Sequence, residues 1–392
     1  MPTAVDPIAP TQLGPVTLRN RVIKAATSEG RSPKGLVTDD LIAFHCAFAD
    51  GGVGMTTVAY CCVSSEGASA PGQIVMSTRA LPGLQKLAES VHQGGAAISA
   101  QLGHAGIVAP KKLTKATAVA PSRFVNPTSF AYCREITRPE IAAVIEQFAQ
   151  AAQIAVDAGF DAVELHFGHL YLPSSFLSPL INRRKDEYGG SIDNRSRLVR
   201  EIAERVRDTV GNQIAVIAKL NMSDGVRGGI PMEESLQTAK WLEEDGALDA
   251  LELTAGSSLV NPMYLFRGDA PVKEFAANFK PPLSWGIRMT GHKFFREYPY
   301  EEAYLLKAAR QFRAELTMPL ILLGGITNRE TMDLAMAEGF EFVAMGRALL
   351  AEPDLLNRIQ ADRNVKSGCT HCNLCMPTIY SQTHCVVTGM PY

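Results

Sequence analysis

Residues 158–171 read AGFDAVELHFGHLY, a stretch that contains the pattern of a buried strand ending at a polar residue. The run Ala162–His166 is short and mostly apolar, and it closes on a histidine. A long helical pattern, Pro139–Ala158, precedes it, and another, Arg195–Val210, comes later. Apolar strands that alternate with helices indicate parallel pairing, with the helices covering the outer face of the sheet.

The same alternation extends along the chain. Eight runs have the character of parallel strands: Val22–Ala26, Gly54–Ala59, Ala97–Gln101, Ala162–His166, Ala215–Leu220, Ala250–Thr254, Leu320–Leu323 and Phe342–Met345. Further helical patterns cover Met232–Asp245, Glu301–Arg313 and Arg329–Ala337, with helix starts predicted at Thr137 and Thr327. Eight such units predict an α/β fold, the (β/α)₈ TIM barrel. The rival, a doubly wound sheet, would carry a GxGxxG fingerprint, which the sequence lacks.

Length and composition suit a globular protein of one large or two ordinary domains, with 392 residues of which 46% are hydrophobic. We predict a barrel over 1–362, with a lid-like insertion at 257–299 that is rich in Pro, Phe, Trp and Tyr. A cysteine-rich tail, 363–392, follows it.

Charge and hydropathy limit the partners. A net charge of −2 gives no reason to expect nucleic acid or an anionic membrane. No uncharged apolar run reaches the roughly 18 residues of a membrane span, and the start of the chain lacks the features of an export signal. We therefore expect a cytoplasmic protein with a small-molecule substrate, and the sequence is compatible with a homo-oligomer.

Polar or glycine residues repeat at the carboxyl ends of the predicted strands, where barrels of this kind place their chemistry. They are Ala26–Thr27–Ser28 after the first strand, Tyr60 after the second, Gln101 with His104 after the third, His166, His169 and Tyr171 after the fourth, Lys219 on the fifth, Gly324–Gly325 after the seventh and Gly346–Arg347 after the eighth. Glycine pairs and an arginine at the seventh and eighth strands are typical of a phosphate site.

His166 and His169 lie three residues apart and can converge on one point. Two neutral imidazoles could donate hydrogen bonds to a developing oxyanion. Tyr171 carries a phenol suited to proton delivery. A two-histidine metal site and a purely structural pair are the alternatives.

Lys219 lies inside an apolar strand, where a lysine is costly to bury without a partner. It could stabilise negative charge on a cofactor ring, or it could form a Schiff base as in a lyase or aldolase. The alternative without a chemical role is a lysine at the edge of the sheet, exposed to solvent. Gln101 offers an amide that suits the edge of a pyrimidine-like ring.

Four cysteines cluster in the tail, at Cys369, Cys372, Cys375 and Cys385. The first three have the C-x₂-C-x₂-C spacing of iron–sulfur ligands. Three interpretations remain open: a [4Fe-4S] cluster, a zinc site in which His371 and His384 could substitute, and a thiol tail without metal. An electron carrier or redox sensor acting through this tail is the non-enzyme alternative.

Several segments in order along the chain resemble the Old Yellow Enzyme family of FMN-dependent ene-reductases, in the branch that includes 2,4-dienoyl-CoA reductase and trimethylamine dehydrogenase. They are LRNRVIKAATSEG, GGVGM, SAQLGHAG, the run from AGFDAVELHFGHLY to SRLVREI, LGGIT and FVAMGRALLAEPDL. The resemblance implies FMN held non-covalently over the barrel mouth and a [4Fe-4S] cluster at the tail cysteines.

Site roles follow from the resemblance position by position. Gln101 and Lys219 would bind the flavin pyrimidine edge, with Lys219 near N1 and O2, and Gly325, Gly346 and Arg347 would bind the phosphate. His166 and His169 would grip a substrate carbonyl, and Tyr171 would protonate the substrate. The sequence departs from the family pattern at four places. Ser28 stands where the family has threonine or cysteine, and Ala25–Ala26 replaces a proline-containing stretch. Tyr60 replaces a residue that is frequently small, and HLYL replaces the common HGYL.

The implied chemistry is ping-pong. NADH or NADPH reduces FMN and leaves, and an activated alkene, either an α,β-unsaturated carbonyl compound or an enoyl thioester, then takes hydride at its β-carbon and a proton from Tyr171. Because the nicotinamide would use the substrate's own site, no separate dinucleotide fingerprint is needed.

Overall fold

The chain folds as a closed barrel of eight parallel strands in a computed structural model that describes residues 5–127, 129 and 131–389. The barrel strands are Val22–Lys24, Met55–Cys62, Ala97–Gly103, Ala162–Phe167, Ala215–Asn221, Ala250–Thr254, Leu320–Leu323 and Phe342–Met345. The eighth strand pairs in parallel with the first through Val343 and Val22, which closes the barrel. The predicted TIM-barrel fold is confirmed. The first strand stops at Lys24, two residues before its predicted end, and the second continues three residues further, to Cys62.

Helices cover the outside of the barrel. The longer ones are Asp39–Asp50, Leu81–Gln93, Arg138–Asp157, Ile192–Val210, Met232–Glu244, Leu306–Glu315, Arg329–Ala337 and Leu355–Ala361. Three of these, Asp39–Asp50, Leu81–Gln93 and Leu355–Ala361, have no counterpart among the predicted patterns. Leu81–Gln93 begins with Leu-Pro-Gly, a sequence more typical of a turn.

Helix starts follow local hydrogen bonding. The predicted start at Thr137 is confirmed, since its N–H donates to the Glu140 side chain at 2.9 Å in a capping box. The prediction of Thr327 was wrong by one residue: Asn328 caps the helix by accepting from the N–H of Thr331 at 2.9 Å. Thr327 instead donates its hydroxyl to the Glu302 carboxylate.

Alternate residues of each strand point into the barrel, and their character changes along its axis. The layer near the amino ends is apolar and includes Ile23, Met55, Ala97, Ala162 and Ala215. A hairpin, Thr11–Leu13 with Val16–Leu18, closes that end with Leu13 and Leu18. Toward the carboxyl ends the inward positions become polar, so the barrel is filled with charged and hydrogen-bonding groups directly below its mouth.

Insertions gather around that mouth. A small sheet, Val119–Ala120, Phe124–Val125 and Tyr132–Glu135, follows the third strand. The segment 257–299 carries the helices Pro262–Phe266, Val272–Ala277 and Leu283–Phe294. Shorter helices are Lys111–Thr114, Leu172–Leu177 and Arg347–Ala351, and the 3₁₀ turns are Pro33–Gly35, Ser65–Gly67, Gly106–Val108 and Met376–Tyr380. Within the described ranges, no helix combines the length and apolar character that crossing a membrane requires.

The cysteine tail packs on the carboxyl-end loops of the barrel. The N–H of Thr383 donates to the carbonyl of Glu29 at 3.0 Å, and its hydroxyl donates to the carbonyl of Ser28. At Gly268 in the insertion, an added Cβ would lie 2.2 Å from the carbonyl of His371, so the two segments touch closely. The tail therefore lies against the loop that begins at Ser28.

Candidate active site

Four aromatic side chains meet at the barrel mouth. The ring of His166 lies 5.1 Å from that of His169 and 4.8 Å from that of Tyr171, between ring centroids. The Tyr60 ring lies 5.5 Å from that of Tyr171 and 6.4 Å from that of His166. The structure therefore brings together the three predicted catalytic residues and Tyr60.

A tight turn after the fourth strand aims His169 back toward the barrel axis. His169 and Leu170 have positive φ values of 62° and 61°, which side chains other than glycine rarely adopt. The Oδ1 atom of Asn221, on the fifth strand, accepts from the His169 N–H at 3.2 Å and secures this turn. Asn221 was not predicted, although its position at a strand end matches that of the predicted residues.

Both imidazoles are neutral near neutral pH. Burial lowers the pKa of His166 well below its usual range, and the neighbouring His169 and Lys219 lower it further. Burial likewise lowers the pKa of His169 to about 3. Nε2 of His169 lies 3.0 Å from Oγ1 of Thr254, whereas Nδ1 of His166 is buried without a hydrogen-bond partner among the described residues. A buried, unpaired ring nitrogen is costly, which fits a group that pairs with a ligand.

Tyr171 keeps its proton. Burial raises the pKa of its phenol, and the hydroxyl lies 3.4 Å from Oγ of Ser69, which accepts from it. Ser69 in turn accepts from Nε2 of Gln73 at 2.8 Å. The phenol is therefore an available proton donor at neutral pH, connected to the loop after the second strand.

Lys219 lies between two buried carboxyl groups that the sequence analysis did not single out. Its Nζ is 2.8 Å from Oε1 of Glu164 and 3.1 Å from Oε1 of Glu252. Burial alone would lower the pKa of Lys219, but these carboxyl groups outweigh burial and raise it. A Schiff-base lysine must lose its proton to act as a nucleophile, so this environment opposes the lyase alternative.

Gln101 is oriented by the same cluster. Its Nε2 donates to Oε1 of Glu164 at 2.5 Å, which leaves its carbonyl oxygen for another partner. The sequence contained a signal for both glutamates: each stands two residues before a polar strand end, Glu164 before His166 and Glu252 before Thr254, and so faces the barrel interior.

The residues after the first strand lie between the barrel and the tail. Lys24 donates to Oγ1 of Thr27 at 2.9 Å, and Nε2 of Gln73 lies 3.5 Å from Oγ of Ser28. Ala26 packs with Tyr60 and Tyr171 in one apolar cluster. These predicted cofactor contacts thus adjoin the aromatic group at the mouth.

The glycines of the predicted phosphate site form a backbone cradle. Gly324 and Gly325 have φ values of 97° and 74°, and an added Cβ at Gly325 would lie 2.6 Å from the backbone nitrogen of Ala303. A Cβ at Gly346 would meet no atom within 4 Å, so open space lies beside this residue. These conformations and this space suit an anion approaching backbone N–H groups.

Arg347 makes contacts that its predicted role did not include. Nη1 donates to the carbonyl of Arg267 at 2.9 Å and also to Oδ1 of Asn373, in the tail. Arg347 therefore joins the glycine backbone cradle to the insertion and the cysteine segment.

The four tail cysteines line a single cavity beside Arg347. All four are free thiols. Burial raises the pKa of Cys375 to about 12; Arg347 partly offsets this rise, and the other three thiols add to it. Across the part of the chain that the structure describes, no three histidine, cysteine, aspartate or glutamate side chains are placed to hold a metal ion. That finding gives no support to a metal site, either at these cysteines or at the His166–His169 pair.

The chain matches a known protein family and several curated relatives. Residues 8–257 match the model of the NADH:flavin oxidoreductase / NADH oxidase family. The chain is 51% identical over 389 residues to a 4,4'-dithiodibutanoate disulfide reductase from Rhodococcus erythropolis, covering 99% of this chain and 96% of that one. It spans about half the length of two other curated relatives, a metal reductase from Desulforamulus reducens and an NADH oxidase from Thermoanaerobacter brockii.

Solved structures share the fold. A 2-naphthoyl-CoA reductase complex superposes with a TM-score of 0.84 at 25% identity, over 97% of this chain and 56% of that one. An Old Yellow Enzyme homologue from Zymomonas mobilis superposes with a TM-score of 0.76 at 22% identity, over 99% and 100% of the two chains. This protein belongs to the NADH:flavin oxidoreductase / NADH oxidase family, and it is an NAD(P)H-dependent flavin oxidoreductase.

Proposed function

We propose that the protein uses FMN and NADH or NADPH to reduce a small, electron-accepting organic substrate at the mouth of the barrel. The observation that carries the proposal is the group formed by two neutral histidines and a protonated tyrosine, with ring centroids about 5 Å apart at the strand ends. It offers two hydrogen-bond donors for developing negative charge and one acid for protonation.

The residues present fit FMN. The Gly324–Gly325 and Gly346 backbone would receive the phosphate beside Arg347, and the Gln101 carbonyl with Lys219 would meet the pyrimidine edge. When bound, FMN would take a hydride from NAD(P)H and pass it to the second substrate. The protein would bind and orient both, and the buried aromatic group would exclude water from the reacting atoms.

An activated alkene is the first candidate substrate. His166 and His169 would donate to its carbonyl oxygen and stabilise the enolate that hydride addition creates. Tyr171 would give its proton to the α-carbon and recover one from solvent through Ser69. The overall balance is one hydride and one proton added across the carbon–carbon double bond.

An organic disulfide is the second candidate, and the 51% identity to a disulfide reductase over nearly both whole chains favours it. Hydride addition to one sulfur breaks the sulfur–sulfur bond and releases the other sulfur as a thiolate. The histidine pair would stabilise that thiolate and Tyr171 would protonate it. NAD(P)H, one proton and one disulfide then yield NAD(P)⁺ and two thiols.

Anaerobic turnover of FMN-loaded protein decides between the two candidates. NAD(P)H oxidation is followed with 4,4'-dithiodibutanoate and with 2-cyclohexenone, and the products are quantified as thiols or as saturated ketone. We expect turnover of at least one substrate, and loss of both on replacing His166 and His169 together by alanine. If neither compound is turned over although NAD(P)H reduces the flavin, the proposed substrate classes are contradicted.

We further propose that the four tail cysteines hold a [4Fe-4S] cluster. Four thiols that line one cavity without forming disulfides support it, and thiolates around a cluster stand farther apart than those around one zinc ion. Arg347 and the Asn373 amide would lie beside it. When bound, the cluster would accept and return single electrons.

Replacing Cys375 by serine tests the cluster directly. Protein purified without oxygen should contain about four irons per chain, and the variant should lose most of that iron while it keeps its FMN. The control is Cys46→Ser, at a cysteine on the helix Asp39–Asp50, which should leave iron unchanged. Stoichiometric zinc, or no metal in the unaltered protein, would contradict the cluster.

A further inference from the structure

The cluster below the barrel mouth contains one cation and two carboxyl groups. Lys219, Glu164 and Glu252 are 3%, 2% and 0% exposed, respectively. Strand register places them together, because Lys219 pairs with Glu252 across the fifth and sixth strands and Glu164 lies on the fourth. One lysine can neutralise only one of the two carboxylates, so the protonation state of the second sets the charge of the cluster.

The two carboxyl groups are not equivalent. Glu164 accepts from Nε2 of Gln101 at 2.5 Å and from Nζ of Lys219 at 2.8 Å. Glu252 lies 3.1 Å from the same ammonium and within hydrogen-bonding reach of Glu164, and two carboxyl groups share a hydrogen bond only when one of them keeps its proton. Because Glu164 already accepts from two N–H donors, it remains ionised, and Glu252 is the group that holds the shared proton.

Other charges near Glu252 are few. The fourth strand presents Glu164 and, one layer nearer the mouth, the neutral His166, and the fifth presents Lys219. The neighbouring seventh strand, Leu320–Leu323, contributes only aliphatic side chains. Burial raises the pKa of Glu252 to about 8; Lys219 partly offsets this rise and Glu164 adds to it. At neutral pH the cluster is therefore neutral, and above about pH 8 it carries one negative charge.

We propose that Glu252 acts as a proton acceptor linked to flavin reduction, acting through Lys219 and not by contact with the flavin. The inference rests on the FMN site proposed above, in which Lys219 meets the pyrimidine edge. A hydride adds two electrons and one proton to the flavin, and so adds one negative charge to its ring. Above pH 8, ionised Glu252 takes one proton from solvent in response; no other bond changes there.

The direction of the coupling between flavin reduction and the protonation of Glu252 follows from charge. Negative charge on the reduced flavin raises the affinity of Glu252 for its proton, so the pKa of Glu252 is higher in the reduced protein than in the oxidised protein. Between these two pKa values, reduction takes up one proton more than it does at pH 7. The midpoint potential of the flavin should therefore fall about twice as steeply with pH above pH 8 as below it.

The experiment measures the midpoint potential of the FMN-loaded protein from pH 6 to pH 10, with Glu252→Gln as the variant. Glutamine keeps the size and polarity of the side chain but does not titrate. We expect a break near pH 8 in the unaltered protein, no break in Glu252→Gln, and nearly equal potentials of the two proteins at pH 7. Glu330→Gln, at an exposed glutamate, is the control and should keep the break.

A second measurement uses only the unaltered protein, in case Glu252→Gln does not fold. Reduction by NADH or NADPH supplies the hydride without taking a proton from solution, so proton uptake, read with a pH indicator in weakly buffered solution, should rise from about zero per flavin at pH 7 toward one at pH 9. Equal proton uptake at pH 7 and pH 9 would overturn the role of Glu252, as would parallel pH profiles of the midpoint potential in the unaltered protein and in Glu252→Gln. Neither result would overturn the proposed FMN-dependent function. A chain that cannot be loaded with FMN overturns the proposed function as well.

Discussion

Replacing Tyr171 by phenylalanine should slow reduction of an activated alkene by about 10²- to 10⁴-fold, the usual contribution of a positioned general acid. Reduction of the flavin by NAD(P)H should change little, because that step needs no proton from the phenol. The two half-reactions are measured separately by rapid mixing of FMN-loaded protein. Equal slowing of both would contradict the role of Tyr171 as proton donor.

The same variant discriminates between substrate classes. A thiolate leaves readily without protonation, since ordinary thiols have a pKa of about 8.5, whereas an enolate must be protonated on carbon. Tyr171→Phe should therefore slow disulfide reduction much less than alkene reduction. Tyr188→Phe is the matched control: its phenol donates to Glu201 at 2.9 Å outside the aromatic group, and its loss should not alter the ratio of the two half-reactions.

Replacing Lys219 by methionine should destabilise the protein without FMN by about 3–5 kcal/mol, the range observed when one partner of a buried ion pair is removed. The variant leaves Glu164 and Glu252 in the barrel without a cation, and both should become protonated. Denaturant unfolding of the two proteins measures the difference. Lys240→Met is the control, since this partly exposed lysine pairs with Glu315 on the surface and should contribute less than about 1 kcal/mol.

The loss in the free energy of unfolding caused by Lys219→Met should depend on pH. With both carboxyl groups neutral in the folded variant, their pKa values lie above the value of about 4.3 that a glutamate has in the unfolded chain. Unfolding then releases protons, so the stability of the variant falls as pH rises above that value. The difference from the unaltered protein should be small near pH 4 and large at pH 7. A deficit that does not change with pH would contradict the account of the cluster.

The strands and most helices were predictable because each depends on local pattern. Seven of the eight predicted strands begin at the residue where the structure begins them, and the alternation of buried runs with helices was sufficient for the fold. Leu81–Gln93 escaped because Pro82 and Gly83 in its first turn are typical of loops, and the sequence pattern there does not reveal the packing that stabilises it.

The site was predictable at the strand ends and less so below them. Parallel strands bring their carboxyl ends together, so His166, Gln101 and Lys219 could be grouped from sequence. Glu252 follows the same two-residue alternation, but its significance depends on which neighbour it meets across the barrel, and that requires the register. Contacts of Thr383 with Ser28 and of Asn373 with Arg347 join segments far apart in the chain, and no local signal marks them.

The central claim is that NAD(P)H reduces a flavin held at this barrel mouth. Its most direct test is an anaerobic titration of the FMN-loaded protein with NADH and with NADPH, followed by the absorbance of oxidised flavin. We predict that at least one of them bleaches the flavin completely at about one equivalent, and that a stoichiometric amount of the second substrate restores the colour. A protein that binds no FMN, or whose bound FMN neither nucleotide bleaches, would contradict the account.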